Sequence, residues 1–158
     1  MTWMPACLSS NLLTVLIFLP LAGALLLLFL PKDNLRLIRN AALLVTVAEF
    51  LLSLPLVFGF DDAAAGMQFV RRAPWIPGYG IEYHVGVDGI SLWLVMLTTF
   101  LMPIAVLSTY EAVEEHVKEF MIFMLMLEVG MVGVFLAIDL FLFYIFWELV
   151  LVPMYFLI

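Results

Sequence analysis

Five long apolar segments constrain what this sequence can fold into more than any other feature. A helix needs about 20 mainly apolar residues to cross the hydrocarbon core of a bilayer. The segments that approach this length are residues 12–30, 37–58, 88–108, 120–137 and 139–158. The last two form one nearly continuous apolar run, which is too long for one span and is divided at Asp139. The sequence therefore predicts an all-α, polytopic transmembrane helix bundle with about five spans.

The composition excludes a soluble protein. Hydrophobic residues make up 66% of the 158 residues and charged residues only 12%, whereas globular domains are roughly half apolar and about a quarter charged. Such a chain has too little polar surface to cover its core, so a bilayer has to solvate the remainder. The net charge of −7 comes without any basic tract, which argues against nucleic-acid binding. We interpret residues 1–158 as one membrane domain.

The motifs of soluble enzymes and metal sites are absent from the sequence. Cys7 is the single cysteine, which excludes an internal disulfide and a CxxC site. We find no P-loop, no GxGxxG and no nucleophile constellation. A secretory signal peptide is disfavoured, because no Lys or Arg precedes the first apolar segment and further spans follow it.

The distribution of positive charge predicts the orientation. Four of the six Lys and Arg residues fall in segments on one side of the predicted membrane: Lys32, Arg36, Arg39 and Lys118. The other two, Arg71 and Arg72, fall in the long loop on the opposite side. Because cytoplasmic loops carry an excess of Lys and Arg, we expect the N-terminus outside.

The long loop before the third span carries the pattern of a β-hairpin. Residues Ile81–Val87 alternate between apolar and polar side chains, which is typical of a strand. Pro77–Gly80 has the composition of a turn, and Phe69–Ile76 is the candidate partner strand. We expect this short hairpin to lie on the membrane face. Three of its aromatic residues are expected in the headgroup region: Trp75, Tyr79 and Tyr83.

Three carboxylates, Glu49, Glu128 and Glu148, lie well inside the apolar segments. A charge at the bilayer centre costs at least about 2.5–3.5 kcal/mol, so each is a candidate functional residue. Glu128 lies ten residues before Ile138 and Glu148 ten after it, which places both about 15 Å from the membrane surface. The two acids are thus in position to communicate if they face the same interior. The alternative is a permanently protonated Glu that hydrogen-bonds a neighbouring helix.

The neighbours of Glu148 favour a proton relay. Tyr144 and Tyr155 lie on its helical face, one and two turns away, and offer hydroxyl groups to the acid. Pro153 lacks an N–H and therefore leaves the carbonyl of Leu149 free beside the acid. Tyr144 and Pro153, together with the more remote Glu49, are the candidate supporting residues.

Small residues define a second face of the fourth span. Gly130, Gly133 and Ala137 form a stripe that lets another helix backbone approach closely. The two-residue offset between Glu128 and Gly130 turns the acid away from this stripe. We therefore expect one face of the span to pack and the other to line a polar path.

The second half of the sequence resembles a known family. The motifs are VGVDGIS at 85–91, PWIPGYGIEYH before it, and GMVGVFLAIDLFLFYIFWELVLVPMYFLI from Gly130 to Ile158. Together they resemble the M subunit, or subunit 4, of proton-translocating NADH:quinone oxidoreductase, which is respiratory complex I. The FWE motif followed by PMYFLI is more specific to this family than the other motifs are.

The resemblance implies a fold, a role and a set of partners. The fold is the antiporter-like bundle of inverted repeats with discontinuous helices, of which this chain would be the N-terminal portion. Glu148 would be the acid of the FWE motif, which acts as a proton relay and pairs with a lysine on a later helix. Glu128 is a possible second relay because of its equal depth, independently of the resemblance.

The resemblance also implies where the redox chemistry lies. The chain would hold no cofactor, while NADH, flavin, iron–sulfur clusters and quinone would be bound by or react with other subunits. Its partners would be the other membrane-arm subunits of complex I, the lipid bilayer and protons. We expect a multi-pass protein of the cell inner (plasma) membrane that belongs to an enzyme without having its own redox site.

Two other functions stay open from the sequence. The first is a subunit of a cation/proton antiporter or of a membrane-bound hydrogenase, since these share the fold. The second is a non-transporting membrane scaffold. Neighbouring genes would separate the first from a respiratory subunit, and a scaffold would tolerate replacement of Glu148 by glutamine.

Overall fold

The computed structural model describes residues 6–61, 63 and 66–158, and the side chain of Cys7 lies outside this description. Within the described residues, five helices are long and apolar enough to cross a membrane, as predicted. Their bounds are α1 Ala6–Phe29, α2 Leu35–Gly59, α3 Gly89–Ala112, α4 Val117–Leu136 and α5 Leu140–Leu157. Four of them continue through an internal proline, which membrane helices tolerate when neighbours satisfy the freed carbonyl.

Short polar residues define where the helices begin. The side chain of Asn34 accepts a hydrogen bond from the Leu37 N–H at 3.1 Å and caps α2. Asp139 caps α5 by accepting from the backbone N–H groups of Phe141 and Leu142. Such caps satisfy amide groups that have no partner within the helix. The predicted division of the long apolar run at Asp139 is therefore confirmed.

The fourth helix begins earlier than the predicted span at residue 120, because its first turn carries a buried cation. The Lys118 ammonium donates to the carbonyls of Leu28 and Leu30, at 2.9 and 2.7 Å. These carbonyls belong to the C-terminal end of α1, where backbone oxygens lack helical partners and carry partial negative charge. This contact offsets the burial of Lys118 and lets α4 extend to Val117.

The fourth helix is the centre of the bundle. It packs against each of the other four helices, and its buried residues lie on several of its faces. The apolar core forms two clusters, one around Leu16, Leu56 and Val132 and the other around Ile38 and Met121. The outer faces of α2, α3 and α5 remain strongly apolar and exposed, as expected of helices that contact lipid or other membrane helices.

The predicted β-hairpin is present. Strands β1 Gln68–Ile76 and β2 Ile81–Val87 pair antiparallel, with register shifts between Gln68 and Arg71 and near Pro74. A short 3₁₀ turn joins them and ends at Gly80, whose φ of 68° suits glycine.

Hydrogen bonds attach the hairpin to the bundle. The Ile138 N–H donates to the His84 carbonyl at 2.9 Å, between α4 and α5. The Tyr83 hydroxyl donates to Thr14 on α1 at 3.1 Å, whereas Tyr79 is exposed. The headgroup location of the three aromatic residues stays a prediction.

Replacing Asp88 with alanine should weaken the start of α3. Asp88 accepts hydrogen bonds from the Ile90 and Ser91 N–H groups at 3.1 and 2.7 Å, and its own N–H donates to the Ser91 hydroxyl. Loss of such a cap costs about 0.5–2 kcal/mol. We expect faster amide hydrogen exchange in the first turn of α3. Asp33→Ala, at an exposed position in the first loop, is the control, and equal exchange in both variants would contradict the assignment.

The same cap should be sensitive to acid. The hydrogen bonds from the Ser91 N–H and hydroxyl hold the pKa of the Asp88 carboxyl below its ordinary value. A lowered pKa gives stabilisation that is complete above the unfolded value of about 3.9. That stabilisation is lost as the pH falls through the lower folded pKa. Protection of the first turn of α3 should therefore decrease only in that acidic range.

Candidate functional site

Two carboxylates are fully buried where α2 meets α4. Glu49 and Glu128 both have no solvent-exposed surface. Glu49 belongs to a face of α2 on which buried residues recur every three or four positions, the period of a helix that packs on one side. These buried residues are Ile38, Ala42, Thr46, Glu49, Ser53 and Leu56. The central position of α4 explains why Glu128 is buried as well.

The two carboxyl groups face each other between α2 and α4. They are close enough to interact electrostatically, and each is the titratable group that acts on the other. None of the four oxygens of Glu49 and Glu128 accepts a hydrogen bond from a described residue. A buried polar group without a partner is costly and calls for a physical explanation.

Two cations of these helices are engaged elsewhere, and the third, Arg36, is exposed near the start of α2. Arg39, ten residues before Glu49, donates to the Val113 carbonyl at 2.6 Å and lies over the Tyr110 ring. Lys118, ten residues before Glu128, is bound to carbonyls of α1. Ten helical residues span about 15 Å. Within the described part of the chain, the carboxyl pair therefore has no cation in contact with it.

Buried hydroxyl groups continue the polar surface of α2. Ser53 lies one turn after Glu49, and its hydroxyl is 3.0 Å from that of Thr99 on α3. Both side chains are fully buried. Sequence reasoning missed this pair, since single hydroxyl residues are common in apolar segments. The available signal was the spacing of Thr46, Glu49 and Ser53, which places three polar residues on one helical face.

Glu148 lies at the same depth as Glu128 but on a different surface. Glu128 is eight residues before the end of α4 and Glu148 eight residues after the start of α5, about 12 Å in each case. Glu148, however, is exposed on the outer side of α5. The structure therefore does not bring the two acids together, and the buried neighbour of Glu128 is Glu49.

The contact between α4 and α5 explains the exposure of Glu148. A Cβ atom at Gly133 would lie 2.4 Å from the Phe146 ring, and one at Gly130 would lie 2.5 Å from Val150. The two glycines of the predicted stripe thus receive the face of α5 that carries Phe146 and Val150. Its third member, Ala137, lies just after the end of α4 and pairs with Val85 of the hairpin. Glu148 is two residues from both Phe146 and Val150, about 200° around the helix, and so points away.

The candidate supporting residues of Glu148 differ in position. Tyr144, one turn before it, is also exposed, and its hydroxyl interacts with the carboxylate. Pro153 is buried within α5. No group of three or more His, Cys, Asp or Glu residues suited to a metal ion occurs among the described residues.

The sequence of the chain was compared with those of known proteins. No protein-family model matches the chain. The chain is 51% identical over 153 residues to NADH-quinone oxidoreductase subunit M of Rhodobacter capsulatus, which covers 94% of this chain and 29% of that protein. It is 43% identical over 146 residues to NADH-ubiquinone oxidoreductase chain 4 of Arabidopsis thaliana, with 92% and 30% covered. The chain therefore spans about three tenths of the length of these curated relatives.

Two solved structures share the fold. A chain of respiratory complex I from Thermus thermophilus with bound NADH matches with a TM-score of 0.72 and 29% identity, covering 89% of this chain and 27% of that one. A chain of the membrane-bound sulfane sulfur reductase, an archaeal respiratory membrane complex, matches with a TM-score of 0.74 and 20% identity. That match covers 92% of this chain and 22% of the other. It shows the fold alone.

Proposed function

We propose, from the homology of this chain to the subunit M and chain 4 proteins of NADH:quinone oxidoreductases, that it is part of a proton-translocating membrane-arm subunit of such a complex. The chain is a multi-pass membrane protein by its homologues and its apolar helices. In the proposed role it belongs to an oxidoreductase and takes part in proton transfer. NADH, flavin, iron–sulfur clusters and quinone belong to other subunits in this proposal.

The observation that carries the proposal is the position of Glu148 in a chain that is half identical to subunit M. The carboxylate lies in the middle of α5 on its outer face, with Tyr144 as a neighbour. Exposure to lipid at this depth would cost at least about 2.5–3.5 kcal/mol for the charged form. We infer that another part of the assembled complex covers this face and provides a cation for Glu148.

The proposed mechanism depends on the distance between Glu148 and that cation. A nearby positive charge favours the carboxylate, whereas an apolar environment favours the neutral acid. When redox energy released elsewhere moves or neutralises the cation, Glu148 takes up a proton. When the positive charge returns, the proton is released. The Tyr144 hydroxyl can donate a hydrogen bond to the Glu148 carboxylate and so orient that side chain when it is ionised.

The proposed orientation places the N-terminus outside. The charged end of the bundle, with the Lys32–Glu119 ion pair and with Lys118 and Arg39, would then face the cytoplasm. The hairpin would face the outside. This arrangement follows the excess of Lys and Arg expected in cytoplasmic loops.

Purification of the complex from native membranes tests the proposed function. An affinity tag on this chain should retain an assembly that reduces an artificial acceptor with NADH and, in vesicles, acidifies one compartment when NADH and quinone are supplied. Proton transport driven by a sodium gradient without NADH oxidation would favour an antiporter. A tagged chain that copurifies with neither activity would favour a scaffold. Either result would contradict the proposal.

A further inference from the structure

We propose that Glu49 and Glu128 form a second proton-binding site, in which the two carboxyl groups share one proton and reversibly bind another. This site rests on the proposed function and extends it, because it adds a second position at which a proton can bind, apart from Glu148. It is formed by α2 and α4, whereas Glu148 lies on the outer face of α5.

Burial without partners is the observation that requires bound protons. Both side chains are completely buried, and their four oxygens have no hydrogen-bond partner among the described residues. Two adjacent ionised carboxylates would combine the desolvation cost of each charge with their mutual repulsion. A first proton removes one of the two charges. The resulting O–H group donates to the remaining carboxylate, which forms a charge-assisted hydrogen bond.

The negative charge that remains after the first proton has bound allows the site to bind and release a second proton. A pair with one proton carries a net charge of −1 in apolar surroundings, with no cation in contact within the described residues. A second proton bonds to the remaining carboxylate and makes both groups neutral acids. Release of that proton restores the shared hydrogen bond. No bond other than O–H forms or breaks, and no electron is transferred.

Among the residues that the structure describes, no other titratable group of the neighbouring helices acts on the pair. Glu49 responds to the charge of Glu128, the two side chains interact directly, and no further titratable side chain among the described residues contributes. On α3 the Thr99 hydroxyl is buried and is paired with Ser53. On α5 the ionisable residue Glu148 points outward. The proton affinity of the site is therefore determined by the pair itself and by its burial.

Two oxygens from each acid do not make a convincing cation site. Hard cations such as calcium and magnesium take about six or more oxygen ligands, which come from carboxylates, carbonyls and waters. The neighbouring hydroxyls of Ser53 and Thr46 donate instead to carbonyls within their own helix. A proton needs only the two facing carboxyl groups, and this is why we assign the site to protons.

Infrared spectroscopy of the intact complex in lipid tests this site. A protonated carboxylic acid has a carbonyl stretching band that shifts in D₂O, and ¹³C labelling of glutamate assigns it. We expect such a band in the unmodified complex, with an intensity that changes with pH. Each single variant, Glu49→Gln or Glu128→Gln, should change this band, and the double variant should lose it. Glu114→Gln, at an exposed loop position, is the control and should leave the band unchanged.

Proton pumping gives the second measurement. In each single variant, the glutamine amide can donate to the remaining carboxylate as the protonated acid does, so most of the pumping should remain. The double variant should lose pumping by about tenfold or more, since it cannot accept an exchangeable proton. Assembly is checked by the rate of NADH oxidation with an artificial acceptor.

Several results would overturn the site. One such result is an assembled double variant that keeps the band or pumps at the full rate. If the double variant fails to assemble, single variants with an unchanged band would overturn the site instead. A band that responds to sodium and not to pH would show a cation site. Repeating the spectra in a Glu148→Gln complex separates this proposal from the proposed function. The pair's band should persist there, whether or not the complex pumps.

Discussion

Replacement of Glu148 with alanine is expected to abolish proton pumping in the assembled complex while NADH oxidation with an artificial acceptor continues. The carboxylate is the ionisable group at mid-depth on the exposed face of α5, and alanine can neither bind nor release a proton. Removal of a positioned proton-transfer group typically costs about 10²–10⁴-fold in rate. The measurement is NADH-driven acidification in vesicles, compared with the rate of acceptor reduction in the same membranes.

Two further variants give this experiment its controls. Glu148→Gln keeps the shape and hydrogen-bonding capacity of the side chain but cannot ionise, so it should fail to pump like the alanine variant. Glu114→Ala, at an exposed loop position, should pump normally. Undiminished pumping in the Glu148→Gln complex would refute a proton-relay role and favour a structural one.

Replacement of Gly133 with alanine is expected to destabilise the contact between α4 and α5. The added Cβ would lie 2.4 Å from Cγ and Cδ1 of Phe146. Phe146 is itself buried. Rotation about χ2 leaves its Cγ atom in place, and rotation about χ1 would have to move the whole ring through the packed core. Overpacking of this kind typically costs about 1–3 kcal/mol. Thermal unfolding of the purified complex should shift to lower temperature, with less assembled complex in the membrane.

Gly89→Ala provides a matched control for this substitution. It adds the same methyl group at the start of α3, where no atom lies within 4 Å of the new Cβ. Its unfolding temperature should match that of the unmodified complex. Equal behaviour of the two variants would show that α5 can move away from α4 at little cost, and would contradict the close contact.

The number of helices, the hairpin and the stripe on α4 could be predicted from the sequence, because each depends on a local pattern. Span length follows from bilayer thickness, and the alternation in Ile81–Val87 follows from strand geometry. Asp139 was predictable as a turn because it interrupts a long apolar run. These features require no knowledge of which helices are neighbours.

The partner of Glu128 could not be predicted in the same way. Sequence position gives the depth of an acid, but its neighbours depend on which helices pack together. Glu128 was correctly expected to point away from Gly130 and Gly133. What the sequence did not reveal was that α5 occupies this stripe, so that the opposite face of α4 turns the acid toward Glu49. The extension of α4 to Val117 likewise depended on the contact of Lys118 with carbonyls at the end of α1.

The hydrogen bond from Ile138 to His84 limits the kind of motion by which Glu148 can change its surroundings. It attaches the start of α5 to the hairpin, so a translation of α5 along its axis would have to break it. Helix shifts occur in microseconds to milliseconds, whereas exposed side chains change rotamer in picoseconds to nanoseconds. We therefore expect Glu148 to respond to a change in its surroundings by rotation of its own side chain, on the faster of these two timescales, and not by movement of α5.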